Sequence, residues 1–204
     1  MTKLLKTLTL TSLAVLAAGA VNAADPNPYV SLKTGYVDGN IELSKGSFGM
    51  FQRRLDGFTG AIAGGAAFEV RPFLTLRSDL EYAYSETSKD SMLLGKVNVQ
   101  KHTVMINGYA DLGEKTWAVK PYVGLGLGCG FGNAGPVHDK QSLQPRFAYA
   151  GMLGAAYTIN SHWALDLGAK YSVLDTSVKH MPGGGLDTLT LTDTSYLLGV
   201  RYSF

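Results

Sequence analysis

The chain has only one cysteine, Cys129, which excludes an internal disulfide framework and a Cys-based structural zinc site. Charged residues make up 17% of the sequence, fewer than in an average soluble domain, and they form no basic block. The lack of such a block argues against a nucleic-acid partner. Beyond residue 23 no stretch reaches 18 apolar residues, which excludes an α-helical membrane protein. Glycine and aromatic residues are abundant instead, with 25 glycines among 204 residues and 10% aromatics.

The first 23 residues have the pattern of a cleaved secretory signal peptide. Lys3 and Lys6 form a positive start, Leu8 to Val21 is an apolar core, and Val21-Asn22-Ala23 fits a small-x-small cleavage site. Cleavage after Ala23 removes two of the 18 basic residues and none of the 16 acidic ones. We therefore predict an exported protein whose residues 24–204 form one domain with no net formal charge.

Apolar and polar residues alternate with a period of two along the rest of the chain, which is typical of strands with one apolar face. In the last segment one face carries Tyr196, Leu198, Val200, Tyr202 and Phe204. The alternation predicts eight strands, which start near residues 28, 57, 73, 97, 117, 145, 163 and 192. Short connections at 70–72, 112–116 and 160–162 are rich in turn residues. They alternate with long connections near 38–57, 86–97, 131–145 and 174–192, as in an up-and-down barrel.

The positions of the aromatic residues predict which face of the barrel points outward. A soluble, lipocalin-like barrel and a membrane barrel both alternate with a period of two, so alternation alone does not separate them. Here the rings on the apolar faces gather near the strand ends, and the strand middles are aliphatic. Two aromatic girdles around an aliphatic band match the two interfaces of a bilayer. We therefore predict an all-β fold, an eight-stranded antiparallel up-and-down transmembrane β-barrel with short periplasmic turns and four longer extracellular loops.

The sequence resembles the small outer-membrane barrels of the opacity-protein and OmpA-like superfamily. The resemblance is carried by four elements in order: Pro28 to Tyr36, Asn107 to Asp111, Pro121 to Gly128, and Gly199 to Phe204. It implies a location in the cell outer membrane of a Gram-negative envelope, among outer-membrane lipids and lipopolysaccharide. It also implies that Tyr202 and Phe204 form the signal that the outer-membrane assembly machinery reads.

The polar faces of the strands place charged residues in the barrel lumen. The predicted lumen charge network consists of Lys33, Arg77, Asp79, Glu81, Asp166, Lys170 and Arg201, with Lys120 nearer the rim. Eight strands leave an interior just wide enough for side chains to fill. The favoured interpretation is a packed ion-pair plug, in which Arg77, Arg201 and Asp166 form a closed network. The alternative is a narrow solute pore. A lane of glycines at 124, 126, 128 and 130 provides space either for long side chains or for water.

No convincing catalytic or metal-binding constellation is present in the sequence. His102 shares the lipid-facing parity with Val104 and Ile106, and no Ser and acid accompany it as a triad would require. His138 and His180 lie in predicted loops, without the spacing of a compact metal site. Cys129 is expected to be a small lipid-facing residue. We therefore predict no enzyme activity, no cofactor and no metal.

The four long loops are the other place for a specific function. The first contains Phe48, Phe51, Arg53 and Arg54, an aromatic and basic cluster suited to a host surface or to lipopolysaccharide phosphates, or to folding over the barrel mouth. The favoured role is a structural and surface-interaction protein, opacity- or adhesin-like, that supports envelope integrity. A narrow small-solute porin is the second hypothesis, and a lipid-modifying outer-membrane enzyme is the third.

Overall fold

The computed structural model describes residues 26–44, 50–91, 95–136, 141–178 and 187–204. These residues form eight strands: β1 (Asn27–Ser44), β2 (Met50–Arg71), β3 (Leu74–Ser91), β4 (Gly95–Leu112), β5 (Val119–Pro136), β6 (Gln141–Thr158), β7 (Trp163–Val178) and β8 (Asp187–Ser203). Within these ranges no helix is long and apolar enough to cross a membrane. The predicted signal peptide, residues 1–23, lies outside the described residues and stays a prediction.

The eight strands form one closed antiparallel barrel. Each strand pairs with its neighbours in the chain, and β8 pairs with β1 from Tyr29↔Ser203 to Ser44↔Thr188. Closure satisfies the backbone hydrogen bonds of every strand across the membrane and leaves no open sheet edge, as a bilayer requires. The predicted eight-stranded up-and-down barrel is confirmed.

The strands are longer than the alternation predicts. β2, β6 and β8 begin earlier than expected, at Met50, Gln141 and Asp187, and β1 remains paired with β2 as far as Ser44↔Met50. Much of the predicted loop sequence, including 38–44 and 50–57, is therefore paired strand. A tilted strand crosses a bilayer with about 9–11 residues, so strands of 16 to 22 residues project beyond it. The predicted alternation ends there because the outer face of a projecting strand no longer faces lipid, while inward residues such as Val37 and Leu55 stay buried and backbone pairing continues.

The short turns lie together at one end of the barrel, which we call the short-turn end. Gly113, directly after β4, donates its N–H to the carbonyl oxygen of Phe73 at 2.9 Å and so ties the turns before β3 and β5 together. Its φ of +137° is a conformation that side chains with a Cβ rarely adopt. At the same end, the Phe204 N–H donates to the Pro28 carbonyl at 3.0 Å, which fixes the end of the chain against β1.

Candidate functional site in the barrel lumen

Solvent exposure along the strands shows which face is inside. In β3, Asp79 and Glu81 are each 1% exposed, whereas the alternate residues Leu80 and Tyr82 are 51% and 43% exposed. The same inversion holds on β5, where Leu125 is 74% exposed. A barrel in water would bury its leucines and expose its carboxylates, so an apolar exterior around a charged interior indicates a lipid surround. The predicted orientation of the two faces is confirmed.

Aromatic residues encircle the apolar exterior near both ends. Towards the long-loop end, exposed rings on neighbouring strands include Tyr36, Phe58, Tyr82, Phe131, Phe147, Tyr149, Tyr171 and Tyr196. Towards the short-turn end they include Phe73, Trp117, Tyr157, Trp163 and Phe204. Tyr202 packs edge-on against Trp163 and Phe204, with ring centroids 4.9 and 5.2 Å apart. The predicted assembly residues Tyr202 and Phe204 thus belong to one of two aromatic girdles.

Glu81 is the centre of the first polar cluster in the lumen, which we call the central cluster. Its carboxylate accepts hydrogen bonds from the ammonium groups of Lys33 and Lys170, both at 2.6 Å. The Lys33 ammonium also donates to the Tyr109 hydroxyl at 3.2 Å. One buried carboxylate therefore joins strands from three parts of the barrel wall: β1, β3 and β7.

Asp79 lies beside the central cluster and bonds to neutral partners. It accepts a hydrogen bond from the Tyr29 hydroxyl at 2.9 Å and another from the Asn107 side-chain amide at 2.8 Å. Neither Tyr29 nor Asn107 is among the predicted lumen residues. The alternation of inward and outward residues along β1 and β4 could have identified both Tyr29 and Asn107, because each lies on the same strand face as a charged residue that points into the lumen.

Asp111 organises a second group, the inner cluster, nearer the short-turn end. The Arg77 guanidinium donates to its two oxygens at 2.7 and 2.8 Å in a bidentate pair. The guanidinium of Arg201 lies 4.0 Å from Asp111 and 3.7 Å from Asp166. Arg77 thus bonds directly to Asp111, which is absent from the predicted network, and not to Asp166. Asp111 follows Asn107 and Tyr109 on the inward face of β4. This alternation is the sequence signal that could have identified Asp111 as a lumen residue.

Aromatic ring faces pack against the guanidinium groups of the inner cluster. The Arg77 guanidinium carbon lies 4.6 Å from the ring centroid of Tyr109 and 5.2 Å from that of Tyr122. The ring centroid of Tyr29 lies 5.9 Å from the guanidinium carbon of Arg77 and 5.7 Å from that of Arg201. Cation–π attraction replaces part of the water that a buried guanidinium loses.

A third group, the outer cluster, lies towards the long-loop end and contains no predicted residue. Lys101 forms an ion pair with Asp193, which also accepts a hydrogen bond from the Ser172 hydroxyl. A cluster of buried apolar residues lies at neighbouring positions of the lumen: Met105, Ala148, Ala150, Leu174 and Leu191. Leu174 lies opposite both Ala148 and Leu191, one inward position beyond Ser172.

The glycine lane of β5 provides space for neighbouring side chains. A Cβ at Gly124 would lie 2.6 Å from the Tyr109 ring, and one at Gly130 would lie 2.8 Å from a methyl group of Leu174. A Cβ at Gly126 would overlap the Asn107 side chain. Of the two roles left open by the sequence, the structure favours side-chain packing over a water path.

The remaining predicted positions lie away from these clusters. Lys120 is half-buried at the short-turn mouth of the lumen. Phe48 lies outside the described residues, as do His138 and His180. Phe51, Arg53 and Arg54 are residues of β2, opposite Leu43, Ile41 and Asn40 of β1, so these three are not in a loop.

His102 and Cys129 both belong to the outer surface of the wall. The Tyr82 hydroxyl lies 2.7 Å from Nδ1 of His102, whose ring stacks on Phe131 at 5.2 Å, so His102 is part of the aromatic girdle. Cys129 is exposed on the lipid-facing side of β5. Among the residues that the structure describes, no three His, Cys, Asp or Glu side chains are grouped to hold a metal ion.

Comparison with known proteins agrees with this architecture. The model of the outer membrane protein beta-barrel domain family matches residues 8–204. Major surface antigen 4 of Anaplasma marginale is 27% identical in an alignment 199 positions long, and the match covers 82% of this chain and 68% of that protein. The crystal structure of Neisserial surface protein A superimposes on this structure with a TM-score of 0.60. The match covers 87% of this chain and 97% of that chain at 18% sequence identity, which shows a shared fold. Because the family model spans almost the whole chain, this protein belongs to the outer membrane protein beta-barrel domain family and is a barrel of the outer membrane.

Proposed function

We propose that the protein is a structural and surface-interaction barrel that strengthens the outer membrane and presents its extracellular strand ends to lipopolysaccharide. The observation that carries this proposal is the filled lumen. Three polar clusters and an apolar group occupy the interior, and within the described residues two cavities beside these clusters measure only 20 and 30 Å³. Such spaces hold about one or two water molecules each.

The filled lumen argues against a pore as the main activity. An ion moving along the axis would have to displace buried, paired side chains, beginning with Arg77 and Asp111 and ending with Lys101 and Asp193. Buried ion pairs of this kind resist separation, because each partner left alone is a charge without solvent. A role in envelope integrity fits a barrel whose wall is braced from within.

The projecting strand ends support the surface-interaction part of the proposal. β1 continues beyond the girdle residue Tyr36 as far as Ser44, paired throughout with β2. In the family the long connections are extracellular, so this paired ribbon stands above the membrane. Arg53 and Arg54 are consecutive residues of β2, one of the two strands of this ribbon, and arginine is well suited to bind phosphate oxygens. The names of the two similar proteins describe a surface antigen and a surface protein.

The surface role is tested by binding to purified lipopolysaccharide. The double variant Arg53→Gln/Arg54→Gln is compared with Lys115→Gln, which removes a basic residue at the periplasmic end. We expect the double variant to bind lipopolysaccharide vesicles about tenfold more weakly, and Lys115→Gln to bind as the wild type does. Equal binding by all three proteins would refute a lipopolysaccharide contact at this ribbon. A loss of binding to host cells with unchanged lipopolysaccharide binding would assign the ribbon to a host surface instead.

The structural role is tested by single-channel recording in planar bilayers. Wild-type protein is expected to show no stable conductance, and Asp111→Ala to show small openings because it frees Arg77. Stable conductance by the wild type would favour the alternative, a narrow small-solute porin. Unchanged lipid A masses in a deletion strain are expected, since no catalytic activity is part of the proposed function.

A further inference from the structure

A cavity of 520 Å³ opens at the periplasmic mouth of the barrel. Its floor contains Arg77, Asp111 and Arg201 of the inner cluster, and Lys120 lies in its wall. Hydroxyl and amide groups, including those of Thr75, Thr158, Asn160 and Ser161, form much of the remaining lining, together with Glu69, Ala67 and Trp163. The volume is that of a small-molecule site, and the lining is polar where most ligand pockets are apolar.

Arg201 has hydrogen-bonding capacity that the barrel leaves unused. Asp111 is engaged in its bidentate pair with Arg77, and it lies 4.0 Å from Nη1 of Arg201. Asp166 lies 3.7 Å from the other guanidinium nitrogen, which is beyond hydrogen-bond distance. Nη1 of Arg201 is buried, within a side chain that is 10% exposed, and has no hydrogen-bond partner. One buried oxygen of Asp166 likewise has no hydrogen-bond partner. The Arg201 guanidinium thus makes two ion-pair contacts but no direct hydrogen bond to a carboxylate, and its donors remain available to a further acceptor.

Lys120 supplies a second cation to the same cavity. It lies opposite Ala156, which in turn lies opposite Asp166, so Lys120 belongs to the same end of the barrel as the inner cluster, and both Lys120 and Arg201 line the cavity. Among the described residues no carboxylate forms an ion pair with Lys120. Glu69, at the rim of the cavity, already pairs with Lys115 at 2.6 Å. The cavity therefore presents two cationic groups without a direct hydrogen bond to a carboxylate: Arg201, which makes only the longer ion-pair contacts to Asp111 and Asp166, and Lys120.

We propose that the periplasmic cavity binds a small oxyanion, a phosphate or carboxylate group, between Arg201 and Lys120. One oxygen accepts from the Arg201 guanidinium, and another accepts from the Lys120 ammonium. The surrounding hydroxyl and amide groups hydrogen-bond to whatever carries the anion. This site faces the periplasm and is separate from the extracellular ribbon proposed above. Its success or failure therefore leaves the surface role untouched.

The test is an NMR titration of the isotope-labelled full barrel in zwitterionic phosphatidylcholine nanodiscs. Inorganic phosphate and acetate are added in turn at constant ionic strength, with chloride as the balancing anion. We expect saturable shifts of the Arg201 side-chain N–H and of the Thr158 and Ser203 amides. Linear shifts without saturation, or the same shifts with chloride alone, would overturn the proposal.

Two lysine variants separate a specific site from general attraction to positive charge. Lys120→Gln is expected to weaken phosphate binding about fivefold, because one charge-assisted hydrogen bond is lost. Lys115→Gln removes the same charge at the same end, outside the cavity, and leaves only the solvent-exposed Glu69 at the rim unpaired, so it is expected to change binding far less than Lys120→Gln does. Equal effects of the two variants would overturn the proposal. Lys120 is half-buried and has no ion pair to lose, so its variant is expected to keep the barrel folded. Arg201→Gln would remove a buried cation beside Asp111 and Asp166 and is expected to destabilise the barrel.

Nanodiscs with phosphatidylglycerol distinguish the source of the oxyanion. If a lipid headgroup enters the cavity, the Arg201 shifts are present before phosphate is added and Lys120→Gln abolishes them. If the ligand is soluble, the shifts appear only on titration. Both outcomes support an oxyanion site, and the absence of shifts in both kinds of nanodisc would refute it.

Discussion

The most informative perturbation of the lumen is Glu81→Gln. Glu81 is 1% exposed and accepts hydrogen bonds from Lys33 and Lys170, both at 2.6 Å. Glutamine keeps the volume of the side chain but removes its charge, so two buried ammonium groups lose their counter-ion. Breaking one buried ion pair typically costs about 3–5 kcal/mol, and we expect the loss here to lie at the upper end of that range.

The matched control is Glu69→Gln, at the periplasmic end of the same barrel. Glu69 bonds to Lys115 at the same 2.6 Å, but the two side chains are 56% and 72% exposed. An ion pair in water contributes only about 0–1 kcal/mol, so the control should be almost neutral. The distance and the chemical groups are alike in the two pairs. The difference between the unfolding free energies of the two variants therefore measures the effect of burial on the ion pair.

The assay is urea unfolding in phosphatidylcholine vesicles, followed by tryptophan fluorescence. A third protein, in which Glu81→Leu is combined with Lys33→Met and Lys170→Met, replaces the whole charge group by apolar side chains. It should recover most of the stability, because no unpaired charge remains. If Glu81→Gln and Glu69→Gln shifted the unfolding free energy equally, the lumen would be hydrated and the ion-pair plug would be wrong.

Two further predictions concern the outer surface and the end of the chain. Leu125→Arg places a charge on the most exposed leucine of the lipid face and should destabilise the barrel by about 2–4 kcal/mol in the same unfolding assay. A neutral result would mean that this face does not contact lipid. Deletion of Phe204 removes its hydrogen bond to Pro28 and its contact with Tyr202. We expect unfolded protein to accumulate in the periplasm while refolding into detergent micelles in vitro is largely retained. Equal loss in both assays would assign Phe204 to packing and not to assembly.

The number of strands and the choice of inner and outer face could be predicted from the sequence. Alternation with a period of two is a local property of each strand, because successive side chains point to opposite faces. In β3 it marks Asp79 and Glu81 as inward and Leu80 and Tyr82 as outward, and the exposures of the four side chains agree. Short turns are local in the same way, since glycine, proline and asparagine favour them.

The lengths of the strands could not be predicted by this means. The alternation depends on a difference between lipid and lumen, and that difference ends at the membrane surface. Pairing such as Ser44↔Met50 continues because it requires only backbone hydrogen bonds between neighbouring strands. Segments 38–44 and 50–57 therefore have the sequence pattern of a loop and the structure of a strand.

The sequence by itself determined which side chains enter the lumen, and the tertiary structure decided which of them meet. Glu81 of β3 bonds to Lys170 of β7, which lies four strands away, and Arg77 bonds to Asp111 in preference to Asp166. The Glu81–Lys170 contact crosses the barrel interior, so it depends on strand tilt and on the register at which β8 closes against β1. The Arg77–Asp111 contact joins neighbouring strands and depends on the register of β3 against β4. Register is a property of the whole closed sheet, so it cannot be predicted from the sequence of any single strand.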